Sequence, residues 1–230
     1  MNNIEKKIIA IGGGGFTHQL DLGLDQFVID KLKSTNNKIG FLATASKDDE
    51  KKISLFYKRF ENTEFELSHF NLTSNINGFS EWIMSKDLVY IGGGNTVFML
   101  EIWRKNKLEH IFKDAYEKGT ILSGISAGAV CWFDWILSDS VGPGFKPLRG
   151  INLISGSCTP HSSNIERINQ FESDIKNNKL PQGIAIDDGV AVVFVDGKPT
   201  EVYSARNNHE AYFLDKNNKI NLKDYIKNYE

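Results

Sequence analysis

Short apolar runs alternate with longer amphipathic stretches along most of the chain. Ile8-Ile9-Ala10-Ile11 is the first such run and ends at Gly12-Gly13-Gly14-Gly15, and Leu88-Val89-Tyr90-Ile91 ends in the same way at Gly92-Gly93-Gly94. Runs of this length between glycines are typical of strands buried on both faces. We expect strands at 8–11, 38–43, 64–70, 88–91, 120–122, 183–186, 191–195 and 200–204, and helices at 20–32, 53–60, 95–103, 108–118 and 165–175.

This alternation predicts an α/β fold, a doubly wound, mainly parallel sheet flanked by helices. No repeat or linker divides the chain, so residues 1–230 are expected to form a single domain. The segment 141–156, rich in Gly, Pro and Ser, is expected to form a loop or short structure over the functional site. Asp196-Gly197 suits a hairpin turn, and Tyr225 and Ile226 are expected to anchor the polar tail, residues 215–230.

The segment Gly124-Ile125-Ser126-Ala127-Gly128-Ala129 carries the strongest chemical signal. It follows a short apolar run and precedes Val130-Cys131-Trp132-Phe133, which can begin a helix. A serine with Gly at −2 and +2 between a strand and a helix fits a nucleophile elbow, in which a sharp turn exposes the hydroxyl above the sheet. A purely structural turn is the alternative interpretation of the same pattern.

A second glycine-rich loop, Gly92-Gly93-Gly94-Asn95-Thr96, also lies between a strand and a helix. Ligands of open α/β sheets bind at the carboxyl edge of the strands, where this loop is expected. We therefore expect the N–H groups of Gly93 or Gly94 to form an oxyanion hole together with the N–H of Ala127. A tight turn capped by Asn95 or Thr96 is the structural alternative and is compatible with that role.

Serine needs a base to take its proton at neutral pH, and histidine is the side chain best matched to that pH. Of the five histidines, His161 lies in the loop Thr159-Pro160-His161-Ser162-Ser163-Asn164 among small polar residues, which suits an accessible base. His18 and His209 are weaker candidates. The carboxylate that would orient the base is left open by spacing alone, and the candidates are Asp134, Asp139, Asp187, Asp188 and Glu210.

Composition excludes several other classes of function. The formal net charge is −2 and neither sign forms a long block, so no nucleic-acid footprint is expected, and the stretch 47–58 reads as a solvated helix face. Two cysteines without CxxC spacing indicate a reducing, cytoplasmic compartment and no metal site. No segment has transmembrane length.

The first glycine run lacks the frame of a dinucleotide or P-loop motif, so no cofactor is expected and the run should border the active site instead.

Taken together, these residues resemble peptidase family S51, the group that contains peptidase E (aspartyl dipeptidase) and cyanophycinase. The resemblance covers most of the chain, and its most specific part is Gly-Gly-Gly-Asn-Thr followed some thirty residues later by Ser-Ala-Gly-Ala. It is carried by Ile9-Ala10-Ile11-Gly12-Gly13-Gly14, Val89-Tyr90-Ile91-Gly92-Gly93-Gly94-Asn95-Thr96, Gly124-Ile125-Ser126-Ala127-Gly128-Ala129, Thr159-Pro160-His161 and Gly183-Ile184-Ala185-Ile186-Asp187-Asp188.

The resemblance implies a class I glutamine amidotransferase-like fold and hydrolysis of short peptides through an acyl-enzyme on Ser126, with His161 as general base. It implies that Asp139, an aspartate between the serine and the histidine, completes the triad. The region around Asp139 departs from the family pattern, and a Ser–His pair without a strong third member is the alternative.

The resemblance further implies that substrates include peptides with an N-terminal aspartate, whose carboxylate would pair with Arg167, with Arg149 and Arg206 as competitors. Arg167 would otherwise be an exposed helix residue without a ligand. Asn95 is also expected to contact substrate. The expected partners are a small peptide substrate and at most a second copy of the chain, as a monomer or homodimer, with no nucleic acid and no membrane. A cyanophycinase-like amide hydrolase and a non-catalytic small-ligand sensor are the alternative functions.

Overall fold

The computed structural model describes residues 4–32 and 37–227. The last three residues of the expected polar tail therefore lie outside the described residues. The strands in chain order are β1 (Lys7–Ile11), β2 (Lys38–Leu42), β3 (Glu66–His69), β4 (Leu88–Ile91), β5 (Ile121–Ile125), β6 (Phe133–Ser138), β7 (Lys146–Arg149), β8 (Ile154–Thr159), β9 (Gly183–Ile186), β10 (Val190–Val195), β11 (Lys198–Ser204), β12 (Ala211–Leu214) and β13 (Lys219–Asn221). The helices are α1 (Gly23–Ile29), α2 (Glu50–Phe60), α3 (Phe79–Met84), α4 (Thr96–Lys105), α5 (Glu109–Lys118), α6 (Ala127–Val130), α7 (Ile165–Lys176) and α8 (Leu222–Lys227).

The strands form two sheets of mixed direction. The first has the order β11-β10-β1-β5-β4-β2-β3, in which β1, β5, β4, β2 and β3 are mutually parallel and β10 and β11 are antiparallel additions. Its central strands are apolar throughout because both faces are covered. In β1, Ile8 and Ala10 face one buried cluster while Ile9 and Ile11 face another. This sheet and its flanking helices are the predicted α/β fold.

The second sheet has the order β13-β12-β9-β8-β6-β7 and was not predicted. Its strands β6, β8 and β9 are parallel, and the apolar residues on one of its faces share a buried cluster with the first sheet. The rings of Phe133 on β6 and Phe194 on β10 meet edge to face with centroids 5.4 Å apart. Its opposite face is covered by α7 through Ile168, Phe171 and Ile175.

This second sheet corrects one expected element and specifies another. The helix after the elbow ends at Val130 after four residues, and the chain continues as β6 instead of extending the helix. For the segment 141–156, expected to be loop or short structure, the structure shows short strands, β7 and the start of β8. The reason is tertiary, because 133–138 gains backbone partners on both sides, from β7 and from β8.

The remaining differences are local. Helix α1 begins later than expected because Asp21 adopts a left-handed backbone conformation, with φ of 54°. Asp196 and Gly197 have φ of 50° and 78°, as the predicted hairpin turn requires. Tyr225 and Ile226 pack against the main core cluster, as expected.

Among the described residues, no helix combines the length and apolar character needed to cross a bilayer.

The connections between the two sheets define where a site can form. Ser126 follows β5 of the first sheet, and His161 follows β8 of the second sheet. Residues 187–189 join β9 of the second sheet to β10 of the first. The carboxyl ends of β5, β8 and β9 therefore meet between the sheets.

Candidate active site

Ser126 lies at a strained turn between β5 and α6. Its backbone angles are φ 54° and ψ −111°, a conformation that L-residues rarely adopt. The flanking glycines are required by close packing, because a Cβ on Gly124 would lie 2.3 Å from the Gly128 carbonyl oxygen and one on Gly128 would lie 2.3 Å from that of Ile91. The Ser126 N–H donates to the Ile11 carbonyl at 2.9 Å. This geometry is that of a nucleophile elbow.

His161 brings its imidazole to Ser126 from the second sheet. Its Nε2 lies 2.9 Å from Ser126 Oγ, and its Nδ1 lies 2.5 Å from Asp188 Oδ1. The loop is fixed by neighbouring bonds, since the Ser162 N–H donates to the Ile186 carbonyl at 3.1 Å and Ser162 Oγ donates to Asp187 at 2.6 Å. The base predicted from sequence therefore stands within hydrogen-bond reach of the predicted nucleophile.

Asp188 sets the protonation pattern of the imidazole. Burial raises the pKa of this carboxyl, but hydrogen bonding and charge attraction from His161, with smaller contributions from Arg206 and Ser163, outweigh burial and leave the pKa below its ordinary value. An ionised carboxylate only accepts hydrogen bonds, so Nδ1 of His161 carries the proton that Asp188 accepts. Nε2 is then free to accept the proton of Ser126 Oγ, as a general base requires.

Asp139 does not occupy the position that the sequence analysis expected for it. Its carboxylate accepts from Arg167 Nη2 at 2.6 Å, and the side chain is 63% exposed. Asp139 directly follows β6, whereas Asp188 lies on the turn after β9. The carboxylate against His161 is thus Asp188, one of the alternatives that spacing could not separate.

The first glycine run makes room for the Asp188–His161 pair. A Cβ on Gly13 would lie 1.9 Å from Asp188 Oδ1 and 2.9 Å from His161 Cε1. The Gly189 N–H donates to the Gly13 carbonyl at 2.8 Å and ties the two turns together. A bare backbone is therefore needed at Gly13, and the run borders the site as expected.

The expected oxyanion donors surround Ser126. A Cβ on Gly93 would lie 3.2 Å from Ser126 Cβ, so the Gly93 backbone lies directly beside the nucleophile. Ala127 is the first residue of α6, where N–H groups have no partner within the helix. Within the described part of the chain, the N–H groups of Gly94 and Ala127 have no backbone or side-chain acceptor. Both are available to a developing negative oxygen.

A cavity of about 240 Å³ opens in front of Ser126. Its size suits a small substrate. The residues that line it come from strand β6, from helices α2, α4, α6 and α7 and from the connecting loops, namely His18, Lys52, Gly93, Gly94, Thr96, Ser126, Val130, Ile136, Leu137, Ser138, Asp139, Pro160, His161 and Arg167.

Arg167 lines this cavity and is not an exposed helix residue. It is only 4% exposed, and its guanidinium lies over the Phe145 ring, 4.6 Å from the centroid. Burial lowers the pKa of Arg167, and the charge of Asp139 opposes that shift.

Asn95 has a different role from the one expected, since its side chain caps α4 by accepting from the Phe98 N–H at 2.8 Å and does not line the cavity.

Lys52 is a residue of the site that the sequence does not predict, because the mixed charges of 47–58 favour a solvated helix face. Its Nζ donates to the Gly93 carbonyl at 2.9 Å. A signal was present in the sequence: Lys52 precedes Phe56 by four residues, and Phe56 belongs to the buried stripe of α2. Lys52 therefore stands at the edge of that stripe.

Comparisons with known proteins identify the family of this chain. The model of Peptidase family S51 matches residues 8–202. An uncharacterized peptidase of Bacillus subtilis (strain 168), YgaJ, is 37% identical over 213 residues, which cover 90% of this chain and 91% of that protein. An uncharacterized peptidase of Pasteurella multocida (strain Pm70), PM1590, is 24% identical over 143 residues, covering 56% of this chain and 67% of that protein.

Solved structures show the same fold at low sequence identity. The crystal structure of a peptidase from an acI-B1 Actinobacterium superposes with a TM-score of 0.71 at 15% identity, covering 96% of this chain and 95% of that one. A putative peptidase E protein from Listeria monocytogenes EGD-e gives a TM-score of 0.64 at 15% identity, covering 87% and 98%. With a family model matching most of its length, this chain belongs to peptidase family S51 and is a peptidase.

Proposed function

We propose that this peptidase is a serine hydrolase that cleaves dipeptides or short peptides through an acyl-enzyme on Ser126. The observation that carries the proposal is the continuous relay from Ser126 Oγ to His161 Nε2 at 2.9 Å and from His161 Nδ1 to Asp188 at 2.5 Å. A non-catalytic ligand sensor would not need a nucleophile, a base and an orienting acid in this order.

In the proposed reaction, Ser126 Oγ attacks the scissile carbonyl carbon while His161 Nε2 takes the hydroxyl proton. The carbonyl oxygen becomes an oxyanion that accepts from the N–H groups of Ala127 and of Gly93 or Gly94. The imidazolium, stabilised by Asp188, then gives its proton to the leaving amine as the C–N bond breaks. Water, deprotonated by His161, attacks the acyl-enzyme and releases the acid, which restores Ser126.

The charged pair Arg167–Asp139 supports a substrate with a free N-terminal aspartate. The Arg167 guanidinium can bind a side-chain carboxylate, for which its planar fork is suited. Asp139 keeps much of its carboxylate exposed at the cavity wall, where it can accept from a free α-ammonium group. A cation beside an anion matches the zwitterionic character of an N-terminal aspartyl residue.

The test is digestion of a dipeptide library containing Asp-Xaa, Asn-Xaa, Ala-Xaa and N-acetyl-Asp-Xaa. Wild type should cleave Asp-Xaa best, and Ser126→Ala should cleave nothing. Arg167→Gln should raise KM for Asp-Xaa more than for Ala-Xaa, and Asp139→Asn should raise KM only for substrates with a free amino group.

Arg149→Gln is the matched control, since Arg149 pairs with Asp134 away from the cavity. Cleavage by Ser126→Ala at the wild-type rate would refute the serine mechanism. Equal effects of Arg167→Gln on acidic and neutral substrates would refute the aspartyl specificity and leave the mechanism standing.

We also propose that the protein acts in the cytoplasm. Cys131 and Cys158 are both buried free thiols, and burial raises the pKa of each well above its ordinary value. Neither is bonded to the other, which suits a reducing compartment. Fractionation of cells that produce a tagged protein would test this location.

A further inference from the structure

Lys52 is tied to the loop that carries the proposed oxyanion donors. It projects from α2 and donates from Nζ to the Gly93 carbonyl oxygen at 2.9 Å. Its neighbour Lys51 is exposed, whereas Lys52 is half-buried at the rim of the cavity that contains Ser126. Burial lowers the pKa of Lys52, and the charge of Asp49 partly offsets this. A partly desolvated ammonium group interacts more strongly with a carbonyl dipole than one in bulk water.

The hydrogen bond from Lys52 to the Gly93 carbonyl also determines the direction of the Gly94 N–H. The Gly93 carbonyl and the Gly94 N–H belong to one planar trans peptide and point in opposite directions. Fixing the carbonyl on Lys52 therefore fixes the direction of the Gly94 N–H, for which the described residues offer no acceptor. The positive charge on the oxygen side also polarises the peptide and makes the N–H a stronger donor.

Other contacts already fix the rest of the loop. The Gly93–Gly94 peptide is therefore the part whose orientation still depends on a hydrogen-bond partner. The Asn95 N–H donates to the Ala45 carbonyl at 2.7 Å, and Asn95 caps α4. Gly94 has φ 151°, and a Cβ there would lie 2.2 Å from the Ala45 carbonyl oxygen. Glycines on both sides of the peptide have no side chains to restrain its rotation. Lys52 supplies the restraint from outside the loop.

We propose that Lys52 is a positioning residue of the oxyanion hole, which holds the Gly93–Gly94 peptide so that the Gly94 N–H faces the reacting carbonyl oxygen. This proposal rests on the acyl-enzyme function proposed above. It assigns Lys52 an effect on the transition state, whereas a lysine that binds a substrate carboxylate directly would affect substrate binding.

The experiment compares Lys52→Met, Lys52→Arg and the control Lys51→Met on Asp-Xaa dipeptides. Lys52→Met should lower kcat about 10- to 100-fold, somewhat less than the loss of an oxyanion donor itself. KM should stay within about threefold of wild type, because the substrate contacts remain. Lys52→Arg keeps a charged donor and should recover part of kcat, and Lys51→Met should match wild type.

A second readout separates positioning from substrate binding. A peptide boronic acid, which forms a tetrahedral adduct on an active serine, should bind Lys52→Met more weakly in proportion to the loss in kcat/KM. Affinity for an uncleaved product dipeptide should not change. If Lys52→Met raises KM and weakens the product and the boronate equally, Lys52 binds substrate and the proposal is wrong.

The outcomes also distinguish a failure of the serine mechanism from a failure of the role proposed for Lys52. If wild type forms no boronate adduct and Ser126→Ala keeps full activity, the serine mechanism itself fails. If wild type forms the adduct and Lys52→Met retains the kcat and boronate affinity of wild type, only the role of Lys52 fails. Thermal unfolding of each variant confirms that the comparison is made on folded protein.

Discussion

At the scale of single residues, the site depends on a carboxylate that stays ionised although it is half-buried. His161 donates to Asp188 on one side, and the Arg206 cation stands nearby, held by Asp21 through bonds of 2.7 to 3.0 Å. Arg206 also packs against Gly189, where a Cβ would lie 2.7 Å from its Cγ. The charge of Asp188 is therefore supported by several groups of fixed position.

Replacing Asp188 by Asn should reduce kcat by about 10³- to 10⁴-fold, because the amide cannot stabilise the imidazolium and favours the wrong tautomer. Asp139→Asn removes a carboxylate that does not contact His161 and should affect kcat far less. Steady-state kinetics of both variants on one dipeptide checks this. A larger loss of kcat in Asp139→Asn than in Asp188→Asn would restore Asp139 as the orienting acid.

The lowered pKa of Asp188 also predicts how stability depends on pH. A carboxyl whose pKa is lower in the folded state stabilises the fold above its unfolded value, 3.8, and loses that contribution as the pH falls through the folded value. The difference in unfolding free energy between wild type and Asp188→Asn should therefore shrink as the pH falls below about 4. Urea titrations of both proteins from pH 7 to 3 measure this difference. A difference that does not change with pH would contradict the lowered pKa of Asp188.

The sequence predicts the proposed nucleophile and base, and it leaves Asp188 as one of several candidate acids. Ser126 stands in a local pattern whose geometry follows from adjacent glycines, and His161 is close to a family motif. The contact between Asp188 and His161 requires two turns that are far apart in sequence to meet in the fold. The spacing of residues along the chain does not encode that meeting. The aspartate pair Asp187-Asp188 just after the buried strand β9 is the available signal, since that strand ends at the same edge as β5, but the sequence does not say which of the two faces His161.

At the scale of elements, the elbow requires glycine for packing as well as for conformation. The Cβ of an alanine at Gly128 would overlap the Ile91 carbonyl of the neighbouring strand β4. That carbonyl belongs to the sheet and cannot move away without disturbing the ladder between β4 and β5. The position of Ser126 is thus fixed by the packing of α6 onto two strands.

Gly128→Ala should therefore destabilise the protein by about 2 kcal/mol or more, as overpacking of a core does. Gly78→Ala is the control, because its φ of 79° carries a backbone penalty but a Cβ there meets nothing within 4 Å. That control should lose about 1–2 kcal/mol. Chemical denaturation gives both values, and a loss in Gly128→Ala no larger than in Gly78→Ala would show that α6 can shift.

Most elements of the first sheet were predictable because each is a continuous apolar run. Strand β4 has the bounds expected, and β1 and β2 agree to within one residue. In the second sheet, β9 also has the bounds expected. Strand β6 was missed because Phe133-Asp134-Trp135 follows the elbow helix directly and contains an acidic residue in an aromatic context. Its pairing with β7 and β8 decides its conformation, and local propensity does not.

At the scale of the whole molecule, the site is assembled from two sheets that pack on each other. The first contributes Ser126 and the glycine loops, the second contributes His161, and the crossover between them contributes Asp188. The distance from nucleophile to base therefore depends on how the sheets are docked. Phe133 and Phe194 are buried at that junction.

Phe133→Ala and Phe194→Ala should each cost about 3–5 kcal/mol of stability. Their effects should be coupled by about 0.5–1.5 kcal/mol in a double-mutant cycle, as for other aromatic pairs. Both variants should also lose kcat while they remain folded, because the sheets position the relay. Phe27→Ala is the control, since Phe27 stacks on Tyr203 at the outer face of the first sheet. Equal loss of kcat in that control would contradict the docking argument.

The most direct test is to identify the covalent intermediate. Wild-type protein mixed with a slowly hydrolysed N-terminal aspartyl ester, quenched in acid and analysed by mass spectrometry, should gain the mass of one acyl group on Ser126. Ser126→Ala should gain none. Rapid dipeptide hydrolysis by wild type without any acyl adduct on Ser126, or an adduct on another residue, would contradict the mechanism.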